Sequence, residues 1–303
     1  MLSGIKSNLP WWTKIGLKIV LSRMPMAYQF WQEMGLFRHG KMDAPGYALE
    51  IFDSHIAKVG WGASDIAGKT ILEIGPGDSV ATAVIAYAYG GKAILVDSGS
   101  YAKSAPGAYR SLCEVLAGRG LRVPSLTGDD TIEDVLEACD GEYITTGLSG
   151  WGEIASDSVD LMFSQAVLEH VRRNEFLATQ RECNRVMKPD AKASHRVDLR
   201  DHLGGGLNNL RFSERVWESN FFSSSGFYTN RIQMCAMIDA FESAGFRVDV
   251  VDVRRWPELP IPRRKLDDAF ADIPDEELRV SGFDVVLYRN PDVTPSAEHT
   301  ALG

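Results

Sequence analysis

The sequence predicts an α/β fold in which a seven-stranded, mostly parallel sheet carries helices on both faces and follows an N-terminal helical cap. Two observations support this prediction. From Ile66 onward, short apolar runs alternate with segments of helical periodicity, a pattern typical of parallel sheets covered on both faces. The first apolar run, residues 70–74, then leads into Gly75-Pro76-Gly77 and an apolar helical stretch. Such a strand, glycine turn and helix form a corner that suits a nucleotide.

Residues 1–65 are predicted to form the helical cap. Within residues 11–24, Lys14, Lys18 and Ser22 fall on one side of a helix and apolar residues on the other. This amphipathic pattern fits a helix packed on the domain, and it also fits peripheral contact with a membrane surface. Because the two lysines interrupt the apolar stretch, it predicts neither a signal peptide nor a spanning helix. A second helical pattern covers residues 47–56.

The domain that contains the sheet is predicted to span residues 66–288. Its strands are expected at residues 70–74, 93–96, 143–146, 159–163, 193–199, 247–253 and 283–288. Helices are expected at residues 79–89, 108–116, 131–138, 167–173, 175–186 and 233–244. Gly245 is suited to end the last of these helices. The tail, residues 289–303, contains two prolines and is predicted to be mobile.

Composition narrows the class of protein. Of the 303 residues, 45% are hydrophobic, which is enough to build a core, and the net charge of −9 disfavours a nucleic-acid partner. The four cysteines form no Cys-x-x-Cys pair, so the sequence predicts neither a zinc site nor a disulfide framework. We interpret them as reduced thiols of a cytoplasmic protein.

The spacing of the glycine corner predicts which nucleotide it binds. Asp97 ends the second apolar run twenty positions after Gly77, the distance at which such folds place a carboxylate for ribose hydroxyls. A turn or helix-capping role is the alternative for Asp97. The third glycine position of the dinucleotide fingerprint is occupied by Val80, which counts against NAD.

Three motifs follow one another between residues 70 and 200. Glu73, Gly75 and Gly77 end the first strand, Leu168-Glu-His170 follows the strand at 159–163, and Arg185-Val-Met-Lys-Pro-Asp190 precedes the next strand. In this order they resemble class I S-adenosylmethionine-dependent methyltransferases, in particular bacterial sugar and small-molecule O-methyltransferases. The resemblance implies a Rossmann-like sheet whose last strand is antiparallel. The sequence departs from the family at Ser79 and at residues 190–191, where glycines are usual.

The resemblance implies S-adenosyl-L-methionine as cofactor. The backbone of Gly75 to Gly77 would hold its methionine moiety with support from Glu73, and Asp97 would bind the ribose diol. The acid that often contacts adenine is replaced by Thr146-Gly147, which leaves that contact open to the Thr146 side chain or to the local backbone. The predicted cofactor residues are Glu73, Gly75, Pro76, Gly77, Asp97, Ser98, Thr146, Gly147, Ser164 and Gln165.

A hydroxyl acceptor would need a base near the cofactor. The candidates are His170, His195, Asp198, Asp201 and His202, of which we predict His170, Asp198 and His202 as catalytic. His170 has the alternative of buttressing the cofactor pocket, and Asp198 that of an Arg–Asp ion pair pinning the next loop. The spacing of His195, Asp198 and His202 fits no standard metal signature, so no metal is assigned.

Residues 201–231 are predicted to form the loop that binds the acceptor. Amide, guanidinium and aromatic groups suit a polyhydroxylated molecule, although asparagines also commonly satisfy their own loop. The predicted substrate residues are Asn208, Asn209, Arg211, Tyr228, Asn230 and Arg231. The expected activity is methyl transfer to a hydroxyl of a sugar, glycan or other small molecule. The alternatives are a non-catalytic cofactor-binding scaffold, a nicotinamide enzyme, and methyl transfer to nitrogen or carbon of a natural product.

Overall fold

A computed structural model describes residues 42–102, 107–127 and 129–290 of the chain. The predicted amphipathic helix at residues 11–24 and the predicted mobile tail after residue 290 lie outside these residues. Within the described ranges, no helix is long and apolar enough to cross a membrane.

Seven strands form one sheet, as predicted. They are β1 (Thr70–Ile74), β2 (Lys92–Val96), β3 (Glu142–Ile144), β4 (Val159–Gln165), β5 (Met187–Asp198), β6 (Phe246–Arg255) and β7 (Val280–Arg289). The strand order is β3-β2-β1-β4-β5-β7-β6. Strands β1 to β5 pair in parallel, whereas β7 is antiparallel to both β5 and β6. The Rossmann-like sheet with an antiparallel last strand is therefore confirmed.

Nine α-helices occur in the described part of the chain. They are α1 (Pro45–Lys58), α2 (Ala81–Ala88), α3 (Ala108–Gly118), α4 (Ile132–Ala138), α5 (Arg173–Val186), α6 (Glu214–Trp217), α7 (Asn220–Ser223), α8 (Met234–Ser243) and α9 (Asp275–Leu278). Several start and stop signals are visible in the sequence. Thr131 caps α4 by accepting from Asp134 N–H over 3.2 Å, and Gly245 follows α8 with a φ of 90°.

The two faces of the sheet are covered by different helices. Because side chains alternate along a strand, Ile71 of β1 packs with α1, α2, α3 and α4, while its neighbour Leu72 packs with α5 and α8. The same alternation separates Leu161 from Met162 in β4. The carboxyl ends of the parallel strands lie at one edge, where ligands bind in open α/β sheets.

Helix α1 belongs to this core and not to a separate cap. Its buried residues Leu49, Phe52 and Ile56 lie in the same apolar cluster as Val84 of α2 and Phe163 of β4. The boundary predicted at residue 65 therefore does not separate two structural units in the described residues. The sequence predicts a boundary at residue 65 because the amphipathic pattern of α1 does not reveal which elements its apolar face packs against.

Most boundaries shift by a few residues, and two segments differ more. The strand predicted at residues 193–199 begins earlier, at Met187, and its pairing with β4 is irregular between Val159 and Leu161. The predicted helix at residues 167–173 is a single 3₁₀ turn, Leu168–His170. It places one exposed residue, His170, directly beyond the carboxyl end of β4.

Candidate functional site

The glycine corner after β1 adopts a backbone that only glycine takes readily. Gly75 and Gly77 have φ values of 70° and 68°, in the left-handed region. A Cβ on Gly75 would lie 2.6 Å from both γ-carbons of Val167, which follows β4. Val167 thus packs directly against the backbone of this turn, and we call the turn Gly75–Gly77 with Val167 beside it the glycine cradle.

Asp97, at the end of β2, is bonded to this corner. Its Oδ2 accepts from Gly77 N–H over 3.1 Å, and its Oδ1 accepts from Ser98 N–H over 2.7 Å. Burial raises the pKa of Asp97 above its ordinary value, although these two N–H groups oppose the rise. Gly147 N–H donates to the Asp97 carbonyl over 3.0 Å, which brings the loop after β3 to the same place.

Four predicted cofactor residues from two loops are thus neighbours. Asp97 and Ser98 end β2, and Thr146 and Gly147 end β3, with the Thr146 and Ser98 side chains exposed. A carboxylate has about four lone-pair positions, so Asp97 retains acceptor capacity beyond its two N–H partners. This half of the corner offers a carboxylate, two hydroxyls and backbone amides to a polar ligand.

Glu73 lies beneath the corner as a buried acid. Its side chain is 2% exposed, and its Oε2 has no hydrogen-bond partner within the described part of the chain. Burial, reinforced by the negative charge of Asp97, raises the pKa of Glu73 to about 8. The Thr82 side chain interacts with Glu73 and opposes this rise, but an unpartnered buried carboxyl oxygen is costly, which makes Oε2 a candidate acceptor for a ligand group at this edge.

Ser164 and Gln165 at the end of β4 face the protein. The Ser164 hydroxyl is buried and lies 2.8 Å from His195 Nδ1, and Gln165 Oε1 lies 3.1 Å from His55 Nε2. Burial lowers the pKa of both histidines to about 3, so they are neutral core residues. Ser164 and Gln165 as cofactor residues stay a prediction, with both side chains engaged by histidines in this structure, and His195 is removed from the candidate bases. As consecutive strand residues they point to opposite faces of the sheet, each of which is covered by helices.

A polar cluster stands next to the corner, beyond β4 and β5. The rings of His170 and His202 are in edge contact, with centroids 4.7 Å apart, and both residues are exposed. His170 Nδ1 lies 2.8 Å from the Tyr228 carbonyl oxygen. Since a carbonyl only accepts, Nδ1 carries the proton and Nε2 is the nitrogen with the lone pair. His170 therefore has the tautomer of a general base.

Asp198 is engaged by an arginine. Arg200 donates to both of its oxygens, over 2.8 Å from Nε and 2.6 Å from Nη2. Burial would raise the pKa of Asp198, but the bonds from Arg200 outweigh it and hold the pKa below its ordinary value. Of the two roles considered for Asp198, the arrangement favours the ion pair, whose positive partner reduces its basicity. Its charge also faces His202.

Asp201 organises the glycine-rich loop. Its Oδ1 accepts from the N–H groups of Leu203, Gly204 and Gly205 over 2.7–3.0 Å, and its Oδ2 accepts from Asn208 Nδ2 over 3.1 Å. With its side chain buried and both oxygens occupied, Asp201 is a structural residue and not a base. The loop is wound closely around this carboxylate.

The predicted substrate residues mostly hold their own segment together. Asn208 accepts from Arg211 Nε over 2.9 Å, and Asn209 donates to Thr229 over 3.0 Å. Asn230 donates to the carbonyls of Leu168 and Val171 over 2.8 and 2.9 Å. These asparagines are buried, so the described conformation favours the alternative that they satisfy their own loop, and their contact with an acceptor stays a prediction. Their function is to tie the loop to the turn that carries His170.

The remaining two predicted substrate residues are also buried. The Tyr228 hydroxyl donates to Glu218 over 2.8 Å, and Arg231 Nη1 donates to the Phe212 carbonyl over 2.6 Å. Burial raises the pKa of Tyr228, and the carboxylate of Glu218 adds to the rise. Arg231 lines a cleft described below.

No group of three or more histidine, cysteine, aspartate or glutamate side chains is arranged to hold a metal ion among the residues described. The four cysteines, all within those residues, are free thiols. Cys113, Cys139 and Cys183 are buried, and burial raises the pKa of each.

The chain matches no family model and no curated protein. Solved structures resemble it weakly. A methyltransferase dependent on S-adenosylmethionine from Archaeoglobus fulgidus is 10% identical with a TM-score of 0.42, over 78% of this chain and 93% of that chain. The 1,6-didemethyltoxoflavin N1-methyltransferase of Burkholderia thailandensis is 11% identical with a TM-score of 0.40, over 78% and 76%. A third, from Mesorhizobium loti, is 13% identical with a TM-score of 0.39, over 74% and 92%. At these values the evidence for the fold is the strand order of the chain itself.

One residue of the cluster was not predicted from sequence. Glu169, between Leu168 and His170, is 1% exposed, and neither of its carboxylate oxygens has a hydrogen-bond partner of good geometry in the described residues. Burial raises its pKa well above the ordinary value, and the charge of Asp198 adds to the rise. The sequence does contain an indication of this residue. Glu169 is an acid directly after the apolar Leu168, in a segment that follows a predicted strand at the edge where ligands bind.

Proposed function

We propose that the protein is an S-adenosylmethionine-dependent methyltransferase acting on a hydroxyl of a sugar, glycan or other small molecule. The observation that carries the proposal is the bond between Gly77 N–H and Asp97 Oδ2, which joins the glycine cradle to a carboxylate at the end of β2. The exposed His170 stands beyond β4, the strand next to β1. A cofactor corner and a base thus occupy the same edge of the sheet.

The residues present fit the cofactor. The cradle at Gly75 has room only for backbone, because a Cβ there would meet Val167. The unpartnered Glu73 oxygen supplies an acceptor for the ammonium of the methionine moiety, and Asp97 has lone pairs for two ribose hydroxyls. When bound, the cofactor supplies a methyl group already activated by its positive sulfur.

The protein's own residues then have three tasks. The glycine backbone and Asp97 would hold the cofactor at this edge of the sheet, which orients it relative to an acceptor. His170 Nε2 takes the hydroxyl proton, while the Tyr228 carbonyl holds Nδ1–H and keeps the ring in this tautomer. The ring of His202 packs edge-on against the ring of His170. The ion pair of Asp198 and Arg200 lies beside His202.

The test is methyl transfer from S-adenosylmethionine labelled in its methyl group to a panel of sugars, oligosaccharides and phenols, with amines as a matched second panel. The proposal expects label in an oxygen-methylated product and equal formation of S-adenosylhomocysteine. If the label appears only in amine products, the methylated atom is nitrogen and not oxygen. Cofactor binding without transfer to either panel would favour the non-catalytic scaffold.

A further inference from the structure

A second concave site lies away from the glycine corner. It is a cleft of about 580 Å³ between residues 231–233, the first turns of α8 and the segment that leads into α9. This volume is within the range of small-molecule sites, on the order of 300–1,000 Å³. None of the residues that form the glycine corner or the histidine pair lines it. Its apolar walls include Ile232, Ala236, Phe270 and Ile273.

Arg231 provides the buried positive charge of this cleft, which we call its positive pole. Its side chain is 1% exposed, and its guanidinium lies between the rings of Trp217 and Phe270, at 5.6 and 5.2 Å from their centroids. Nη1 donates to Phe212 O, but Nη2 is 3.9 Å from Glu218, beyond hydrogen-bond distance, and Nε has no partner in the described residues. A buried guanidinium with an unused N–H is under-compensated and favours an anionic group.

The rest of the lining carries charges of both signs, with four carboxylates and two arginines, Arg173 and Arg255, around the buried Arg231. Asp239 and Glu276 line the cleft and are exposed, and neither forms an ion pair within the described ranges. Glu277 also lines it, but its carboxylate is used at the start of α8, where it accepts from Cys235 N–H over 2.7 Å. Because Glu214, Asp239, Glu276 and Glu277 outnumber these two arginines, a ligand in the cleft would meet a cation at depth and mostly carboxylates nearer the opening.

We propose that this cleft binds a small zwitterion of the amino-acid type. Its carboxylate would reach the Nε side of Arg231, its ammonium would face Asp239 and Glu276, and its apolar part would lie against Ala236 and Phe270. Arginine suits a carboxylate because its N–H groups form a planar fork. A ligand that lacks either charge leaves one pole of the cleft unpaired. The proposal goes beyond the proposed function, since it requires neither the cofactor nor methyl transfer.

The probes are L-phenylalanine, which carries both charges, N-acetyl-L-phenylalanine, which lacks the ammonium, and L-phenylalaninamide, which lacks the carboxylate. Binding to the full chain is measured by titration calorimetry and ligand-observed NMR. We expect saturable binding of phenylalanine, at least about tenfold tighter than that of either derivative. Equal binding of all three, or of none, would overturn the proposal.

Variants locate the site. Ala236→Trp fills the cleft without changing charge and should abolish binding, and Glu276→Lys should weaken phenylalanine about fivefold while strengthening the N-acetyl derivative. Arg215→Met, on an exposed arginine that does not line the cleft, is the control and should leave binding unchanged. Arg231→Met should abolish binding provided that circular dichroism shows it folded. Binding that survives Ala236→Trp and Glu276→Lys would place the probe elsewhere and refute the assignment. S-adenosylhomocysteine binding, measured in the same samples, reports separately on the glycine corner.

Discussion

Gly77 N–H donates to Asp97 Oδ2 over 3.1 Å, a bond between residues twenty positions apart in the chain. It joins the turn after β1 to the end of β2, which are neighbouring parallel strands. The bond shows that the two sequence features with this spacing lie next to each other in the fold. A ligand held by the glycine turn necessarily lies beside the carboxylate.

Replacing Asp97 by asparagine tests its role as a diol acceptor. The amide nitrogen cannot accept from N–H, so Asp97→Asn loses one bond to Gly77 or Ser98 together with charge toward the ribose. We expect the Kd for S-adenosylhomocysteine to rise about 10- to 100-fold. Asp190→Asn, at an exposed aspartate of β5, is the matched control and should bind as the wild type does. Equal affinity in both variants would remove Asp97 from the cofactor site.

Gly75→Ala tests the cradle. The substitution puts a Cβ within 2.6 Å of Val167 at a φ of 70°, and we expect a loss of about 2–4 kcal/mol in the free energy of unfolding together with loss of cofactor binding. Gly118→Ala is the control, because this glycine ends α3 with a negative φ and no atom within 4 Å of its Cβ. Denaturant titration measures the free energy of unfolding of both variants. If Gly75→Ala is as stable as Gly118→Ala, Val167 does not pack against residue 75.

His170→Asn tests the base. We expect kcat to fall about 10²- to 10⁴-fold, with unchanged affinity for S-adenosylhomocysteine and loss of the rise of kcat with pH. Asp198→Asn and Arg200→Met are the comparison pair. If Asp198 and Arg200 act as one ion pair, each single change and the double change should have the same modest effect on kcat. A pH profile unaltered in His170→Asn, or lost in Asp198→Asn alone, would assign the base to Asp198.

The buried Glu73 predicts that the free energy of unfolding depends on pH. Its folded-state pKa of about 8 exceeds the ordinary value of 4.5, so the folded state binds more protons between these values and stability falls as pH rises from 4.5 to 8. Glu73→Gln cannot ionise. We therefore expect it to match the wild type near pH 5 and to exceed it above pH 8 by about 1–3 kcal/mol in the absence of cofactor. If the free energy of unfolding varies with pH in the same way in Glu73→Gln and in the wild type, the raised pKa of Glu73 is contradicted.

The same residue links protons to the cofactor. Binding an ammonium favours the ionised carboxylate, so cofactor affinity should rise with pH up to about 8, and binding should release a proton. Titration calorimetry in buffers of different ionisation enthalpy measures that release. Glu73→Gln should remove it. Proton release that persists in this variant would point to a different group.

Much of the fold was predictable because it depends on local patterns. Apolar runs marked all seven strands, and Gly75, Gly77 and Asp97 marked the corner, since backbone conformation and strand spacing are written in residue type. Strand ends were less predictable. Lys188 to Asp190 has the residues of a turn, yet it lies within β5, at the irregularity where Met187 pairs with Val159 and the next pair is Lys192 with Leu161.

The polar residues of the loop could not be assigned from sequence for a physical reason. Asn230 is satisfied by the carbonyls of Leu168 and Val171, about sixty positions earlier, and Ser164 by a histidine on the next strand. An amide or a hydroxyl has the same pattern in the sequence whether it faces a ligand or a remote backbone group. Only the tertiary structure distinguishes these cases.

The central claim, that the glycine corner holds S-adenosylmethionine, is tested most directly by titration calorimetry with S-adenosylmethionine and with NAD. The account predicts saturable one-to-one binding of S-adenosylmethionine, weakened in Asp97→Asn, and no binding of NAD. Binding of NAD without binding of S-adenosylmethionine would contradict it.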